Sequence, residues 1–559
     1  MSSHSNVKTK IMRKILLLSA LLISTFVMAQ TTWTGAASTD WTNNANWSNN
    51  SPGDEFYPSD ITIPSSLSTY PILADDIALL GTVTIQSGAT VTITGGSIKF
   101  YTGGTMVNSG QVILNSGSAI KLSTSVTGSG NFKYNRNLPV ANVFYAMGSP
   151  VEGQDIDAFI TAESIPQSST NNNMGIGTYN TSSDDYSYIQ SGASSSGSFT
   201  RGLGYLVRVN ATGDVSFTGS NPTVADVGVA LTYTGSTRYN LVSNPYPAHL
   251  KTDNSGGLLS SNSSKVDQTV YIWNASDGNF ETGVAVDGFI IAPGQGFFVK
   301  AKSSGSGDFT FKASHTIPNS GDSFRSFDDR FEVHLNISDE SINRLAKVYY
   351  IAETTTGYDD GYDGELFTSQ NNDFTIYTSS ESDENSSGLD LAIQSIPEMT
   401  HIVPVGVNAL EGTEFTISAT TLNRPEGYNV YLEDRDNNTF TLLDETSDFI
   451  TTTSSDLNGT GRFYLHTTAS TMSNEQAITN LLNVFKLDRN NFITIQGLSG
   501  QSSVTNVKLY SILGSEVLST TLDNNTNSQS ISTQHLSAGI YVVKLESANN
   551  LQTKKLIIK

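Results

Sequence analysis

Cysteine is absent from the chain. That excludes a disulfide framework, a Cys-ligated zinc or iron–sulfur site and a thiol nucleophile. Basic residues are scarce: 30 Lys and Arg face 52 Asp and Glu among 559 residues, for a net charge of −22. A general nucleic-acid binder needs a basic face that such a chain lacks. Charged residues make up only 15% of the sequence, against roughly 25% in typical globular proteins. Beyond the first thirty positions no run approaches the ~20 apolar residues of a membrane-spanning helix, so no transmembrane segment is expected. Also missing are a G-x-S-x-G elbow, a P-loop and a dinucleotide fingerprint. The histidines at 249, 315, 334, 401, 466 and 535 have no metal-ligand spacing. No catalytic residues and no cofactor emerge. A carboxylate pair for glycoside hydrolysis stays open, because such groups meet in space rather than in sequence.

What is present is polar β-forming sequence, 37% hydrophobic and 9% aromatic, long enough for about three to five domains at roughly 100–200 residues each. The N-terminus carries Lys8, Lys10, Arg13 and Lys14, then an apolar run from Ile15 to Val27, then Val27-Met28-Ala29. A basic start, a short apolar run and a small-residue cleavage signal read as a secretory signal peptide cut between Ala29 and Gln30. Residues 1–29 hold four basic and no acidic side chains, and residues 478–559 hold seven basic and four acidic ones. The stretch between them has 19 basic against 48 acidic groups, a net of −29. Charge therefore divides the chain into a leader, an acidic passenger and a mildly basic tail.

In the tail, Val507-Lys508-Leu509-Tyr510-Ser511-Ile512-Leu513-Gly514 alternates as a strand and stops at a turn-forming glycine. Leu536-Ser537-Ala538-Gly539-Ile540-Tyr541-Val542-Val543-Lys544 is a turn feeding a strand, and Lys554-Lys555-Leu556-Ile557-Ile558-Lys559 closes the chain. These blocks, in this order, resemble the C-terminal sorting domain of the type IX (Por) secretion system of Bacteroidetes. The family's Tyr-Pro-Asn-Pro opening is replaced here by Asn483-Val484-Phe485-Lys486-Leu487. The resemblance implies an Ig-like β-sandwich over 478–559 and recognition by the outer-membrane translocon. It also implies secretion or attachment to surface polysaccharide, with Lys508, Gly514, Gly539, Tyr541 and Lys555 at the pattern's positions. Gly514 and Gly539 would serve tight turns, and the lysines would keep an edge strand from pairing with other chains.

The passenger reads as three β-rich blocks. Within 30–130, glycines at 81, 88, 95/96, 103/104, 110 and 117 punctuate short alternating strands about every seven residues. Such units cannot bury a face alone, which predicts a β-solenoid-like stack, with an antiparallel meander as the alternative. Trp33, Trp41 and Trp47 precede it in a W…DW…NW cluster that resembles the opening of secreted Bacteroidetes surface proteins. They read as an aromatic cap; an exposed carbohydrate platform is the other reading.

Residues 131–320 look duplicated. Phe144-Tyr145-Ala146-Met147-Gly148-Ser149-Pro150 and Gly202-Leu203-Gly204-Tyr205 in one half match Tyr239-Asn240-Leu241-Val242-Ser243-Asn244-Pro245 and Gly294-Gln295-Gly296-Phe297 in the other. Two packed β halves are expected, with a ligand cleft between them as the competing reading. Residues 325–468 read as an antiparallel sandwich whose order again resembles the region ahead of the sorting domain in type IX cargo. Its acidic turn offers Asp359, Asp360, Asp363 and Glu365 to a Ca²⁺ ion, without EF-hand spacing; a solvated turn is the alternative.

The whole is an all-β multidomain chain. The function expected of it is that of a non-catalytic structural or adhesive surface protein. Its partners would be the type IX machinery and a surface polysaccharide or neutral glycan, with a secreted polysaccharide hydrolase or glycan-binding module as the alternative.

Overall fold

The computed structural model describes residues 29–558 except 54–55, 57–58, 193–194, 236, 254, 304–306, 319–329, 340, 370–371, 382–387, 445–446, 470–481, 487–491, 500, 502, 527 and 549. Residues 1–28, which hold most of the leader, lie outside the described residues. Two compact units emerge: Met1–Asp328 with Asp360–Gln370, and Asp329–Asp359 with Asn371–Lys559.

The first unit opens with a parallel stack of three walls. Ser59–Ile63, Thr82–Ile85 and Thr105–Asn108 form one wall, Ile72–Leu73, Thr90–Ile93 and Gln111–Leu114 a second, and Ile77–Leu79, Ser97–Phe100 and Ala119–Lys121 a third. Ile61 pairs with Val83 and Val83 with Met106, so one coil takes 22 or 23 residues. Three strands per coil account for the seven-residue spacing of the glycines, and the parallel pairing excludes the meander. Alternating residues build inward ladders such as Leu73, Ile93, Leu114 and Tyr134, all buried. The glycines serve two ends. Gly88 turns a corner at φ +83°, whereas a Cβ on Gly110 would lie 2.3 Å from the Ala89 carbonyl oxygen of the coil before.

Trp33, Trp41 and Trp47 are 0–2% exposed and meet edge to face at 5.0–5.1 Å. Trp33 Nε1 donates to the Thr69 carbonyl and Trp47 Nε1 to the Trp41 carbonyl. Buried Asn46 accepts from the Ala37 and Ser38 amides and donates to Ser38 Oγ and the Asp40 carbonyl. The cluster is therefore a closed cap, with its rings turned inward.

The stack does not end at residue 130. Asn131–Leu138 pairs parallel with Gln111–Leu114 and antiparallel with Gly213–Ser220, and one apolar core runs from Trp33 to Phe217. The two halves that follow share one topology. The order Phe144–Met147, Tyr205–Arg208, Asn173–Asn180, Asp185–Gln190 recurs as Tyr239–Ser243, Gly296–Lys300, Thr269–Asn274, Asn279–Val284.

Their junction is self-complementary. Met147 bridges to Gln295 and Val242 to Leu203, while the Gly148 amide donates to the Gly294 carbonyl and the Ser243 amide to the Gly202 carbonyl. Each contact has its mate under exchange of the halves, as at an isologous interface. The repeated G-x-G motif has a physical reason: a Cβ on Gly204 would reach 2.6 Å from Leu241 Cγ, and one on Gly296 2.7 Å from the Ala146 carbonyl carbon.

In the second unit ten strands form one hydrogen-bonded path: Thr439–Leu442, Asn429–Asp434, Leu457–Thr468, Val403–Ala409, Thr375–Ser379, Asp390–Ile396, Asn343–Tyr350, Phe331–Ser338, Glu414–Leu422, Phe449–Thr452. Phe463, near one end, meets Phe449, at the other, with ring centroids 5.4 Å apart, so the sheet folds over on itself around a single core. Its pairing is antiparallel except between Asn343–Tyr350 and Asp390–Ile396, which run parallel. The described residues between 482 and 558 form a seven-stranded sandwich of three- and four-stranded sheets, closed over Val484, Ile493, Ile495, Leu509, Val543, Leu545 and Ile558.

Candidate functional site

The C-terminal sandwich presents its sequence motif unevenly. Lys508 lies on Thr505–Ser511 and pairs with Glu516 at 3.5 Å. Gly514 makes the hairpin turn at φ +80°, its amide donating to the Ser511 carbonyl. Gly539 differs from expectation: it opens Gly539–Ser547 without a left-handed φ, and a Cβ there would meet nothing closer than 3.7 Å. Tyr541 is buried and its hydroxyl donates to the Ser537 carbonyl, which ties the preceding turn to the strand. Lys555 is exposed on the edge strand Asn550–Ile558, opposite Val542, where a charged side chain discourages strand addition. At the tip of the Thr505–Ser511/Glu516–Leu522 hairpin, Ile512 and Leu513 stand 72% and 90% exposed.

The acidic turn is not gathered into one site. Asp359 Oδ2 accepts from the Thr355 amide and hydroxyl within the second unit. Residues 360–370 belong to the first unit. There Asp360 pairs with Lys302 at 2.6 Å and accepts from the Gln268 amide, and Glu365 pairs with Lys300 and, at 4.0 Å, with Arg238. Asp363 is buried, and its carbonyl accepts from the Thr269 hydroxyl. Two residues past Glu365, Phe367 sits among Tyr239, Tyr271, Phe280 and Phe298 with ring centroids 4.3–5.3 Å away. The segment thus acts as a strap, with an aromatic anchor and paired carboxylates. Among the described residues no group of three or more His, Asp or Glu is placed to hold a metal ion. Burial raises the carboxyl of neighbouring Asp267 to about 6, partly opposed by Lys300 and reinforced by Glu365.

Two Glu–His pairs escaped the sequence reading. Glu332 Oε2 lies 2.7 Å from His334 Nε2 while its other oxygen accepts from Arg330. Burial pushes this carboxyl upward, but the two hydrogen bonds outweigh it and hold the group at about 2. Glu433 lies 2.8 Å from His466 and 3.0 Å from Arg435, whose guanidinium stacks 3.3 Å over Tyr464. The spacing Glu332-x-His334, which puts both side chains on one face of a strand, could have revealed the first. The second joins two strands that only the sheet brings together. In both, a ring nitrogen of the imidazole hydrogen-bonds a carboxylate that an Arg also pairs with. Of the proposed cleavage point, Ala29–Thr32 is the first described strand, with Gln30 opposite Asp60.

Residues 489–559 match the family described as the secretion system C-terminal sorting domain. The chain is thus a protein sorted by type IX secretion to the cell exterior or surface, a route that implies a Bacteroidetes source. Residues 32–285 and 274–467 match the family described as a domain of unknown function, DUF8693; together these cover more than half of the chain, which belongs to that family. No curated protein matches. Among solved structures, dimeric latent PorU from Porphyromonas gingivalis aligns at 9% identity and a TM-score of 0.13, over 44% of this chain and 30% of that one, too slight a likeness to bear on fold or function. Among the described residues no helix is long and apolar enough to cross a membrane.

Proposed function

We propose that the exported passenger is a non-catalytic structural or adhesive protein of the cell surface, delivered by its C-terminal sandwich. Residues 1–29 would direct it into the export route, with cleavage between Ala29 and Gln30. The observation that carries this reading is where the chemistry-bearing side chains are spent. The three tryptophans close a cap, the strap's Asp360 and Glu365 neutralise Lys302, Lys300 and Arg238, and His334 and His466 each hold a glutamate. A neutral glycan remains the partner class that suits a passenger of this charge, since anionic polymers are repelled at low salt.

The test is twofold. The purified chain is incubated with neutral and acidic polysaccharides, and reducing ends are counted; none above background are expected. Cells lacking the protein should adhere more weakly to a glycan-coated surface than cells displaying it. Turnover of any polysaccharide would replace this reading with that of a secreted hydrolase.

A further inference from the structure

A cavity of about 50 Å³ lies in the first unit where three pieces meet: the Asn131–Leu138 strand, the Phe144–Met147 strand and the Pro293–Gly296 turn. Its lining includes Tyr134, Arg136, Met147, Phe217, Trp273 and Gln295, and among the described residues no carboxylate contributes to it, although the surrounding passenger is strongly acidic. Strand alternation explains the pairing of Tyr134 with Arg136, since residues two apart share a face; Tyr134 lies opposite Phe217 and Arg136 opposite Val215.

The donors here are incompletely used. Tyr134 is fully buried with its hydroxyl beside the Arg136 guanidinium, which can only donate to it, so the hydroxyl's own hydrogen has no acceptor among the described residues. Arg136 has no ion pair among the described residues. Gln295 Oε1 is occupied by the Ala292 amide, which leaves the side-chain nitrogen as a donor. The other polar groups of the lining are satisfied: Tyr145 exchanges hydrogen bonds with the Val140 backbone, and Trp273 Nε1 donates to the Phe144 carbonyl. A buried polar group without a partner costs roughly 1–3 kcal/mol, and a ligand that brings an acceptor atom to the Tyr134 hydroxyl would remove that cost.

We propose that this cavity is a binding site for a small carboxylate, whose oxygens take the Arg136 guanidinium and the Tyr134 hydroxyl while its short apolar part rests on Met147 and Trp273. A planar guanidinium matches the two oxygens of a carboxylate. At roughly 10–15 Å³ for each water-sized volume, the space suits an acid of about four heavy atoms. The site stands apart from the adhesive reading above and does not depend on it.

Saturation-transfer NMR of the full chain with acetate as the probe tests this. A saturable methyl signal is expected, weakened about tenfold by Arg136→Gln, the scale of one lost charge-assisted hydrogen bond. Tyr134→Phe, which keeps the ring and its packing, should weaken it about threefold, whereas Lys133→Gln, on the opposite face of the same strand, should leave it unchanged. Melting curves of each variant check folding, and Tyr134→Phe carries the test if Arg136→Gln does not fold. No saturable signal, or a signal untouched by both substitutions, overturns the proposal.

Discussion

In the solenoid three tryptophans are covered to within 2% of full burial, whereas on the C-terminal sandwich Ile512 and Leu513 are 72% and 90% exposed. Both groups occupy conspicuous sequence motifs, and both regions are cysteine-free β structures with cores of their own. The difference is informative because exposing a large apolar side chain forfeits roughly 1.5–3 kcal/mol of burial. In the cap that free energy holds the fold together. In the sorting domain the two side chains stay in solvent and contribute nothing of that kind to the fold. The acidic strap follows the passenger's rule, since Phe367 and the ion pairs of Glu365 and Asp360 serve packing.

Substitutions sharpen this contrast. Trp33→Ala should destabilise the passenger by about 3–5 kcal/mol, the usual range for a large buried ring, seen as a lower denaturation midpoint with the C-terminal sandwich still folded. Glu332→Gln should cost about 3 kcal/mol at pH 7, from a carboxyl held at about 2 against an ordinary value of 4.5. Because that value is depressed, the contribution is present above about pH 4.5 and fades as pH falls toward 2; the variant should therefore show a flatter acid limb in urea melts taken across that window. Asp267 acts in the opposite direction. Its carboxyl, raised to about 6, makes the native state lose stability as pH rises from about 4 to 6. The smallest effect on stability belongs to Leu513→Asp, within about 0.5 kcal/mol by the behaviour of exposed positions. Surface display should nonetheless fall in that variant, as flow cytometry with an anti-passenger antibody would record. An undiminished signal would mean that the exposed tip has no part in recognition.

The solenoid and the duplication were legible in the sequence because their causes are local and periodic. Glycines recur where a coil turns a corner or meets its neighbour, and the two G-x-G motifs mark where the halves touch. The fate of the acidic turn was not legible. Its counter-charges, Arg238, Lys300 and Lys302, lie at least 58 residues away along the chain, and only the fold supplies them. Gly539 was misread for another reason: a glycine before a strand suggests a turn, but this one adopts a backbone any residue could take. The Tyr134–Arg136 face went unread, because nothing in the strand's own sequence announces that a cavity lies over it.

The division between passenger and address is tested most directly by removing residues 478–559 in a cell that secretes by the type IX route, followed by fractionation and limited proteolysis. The passenger is predicted to accumulate in the periplasm with its protease-resistant core intact. Normal display of the truncated chain at the cell surface would contradict the account.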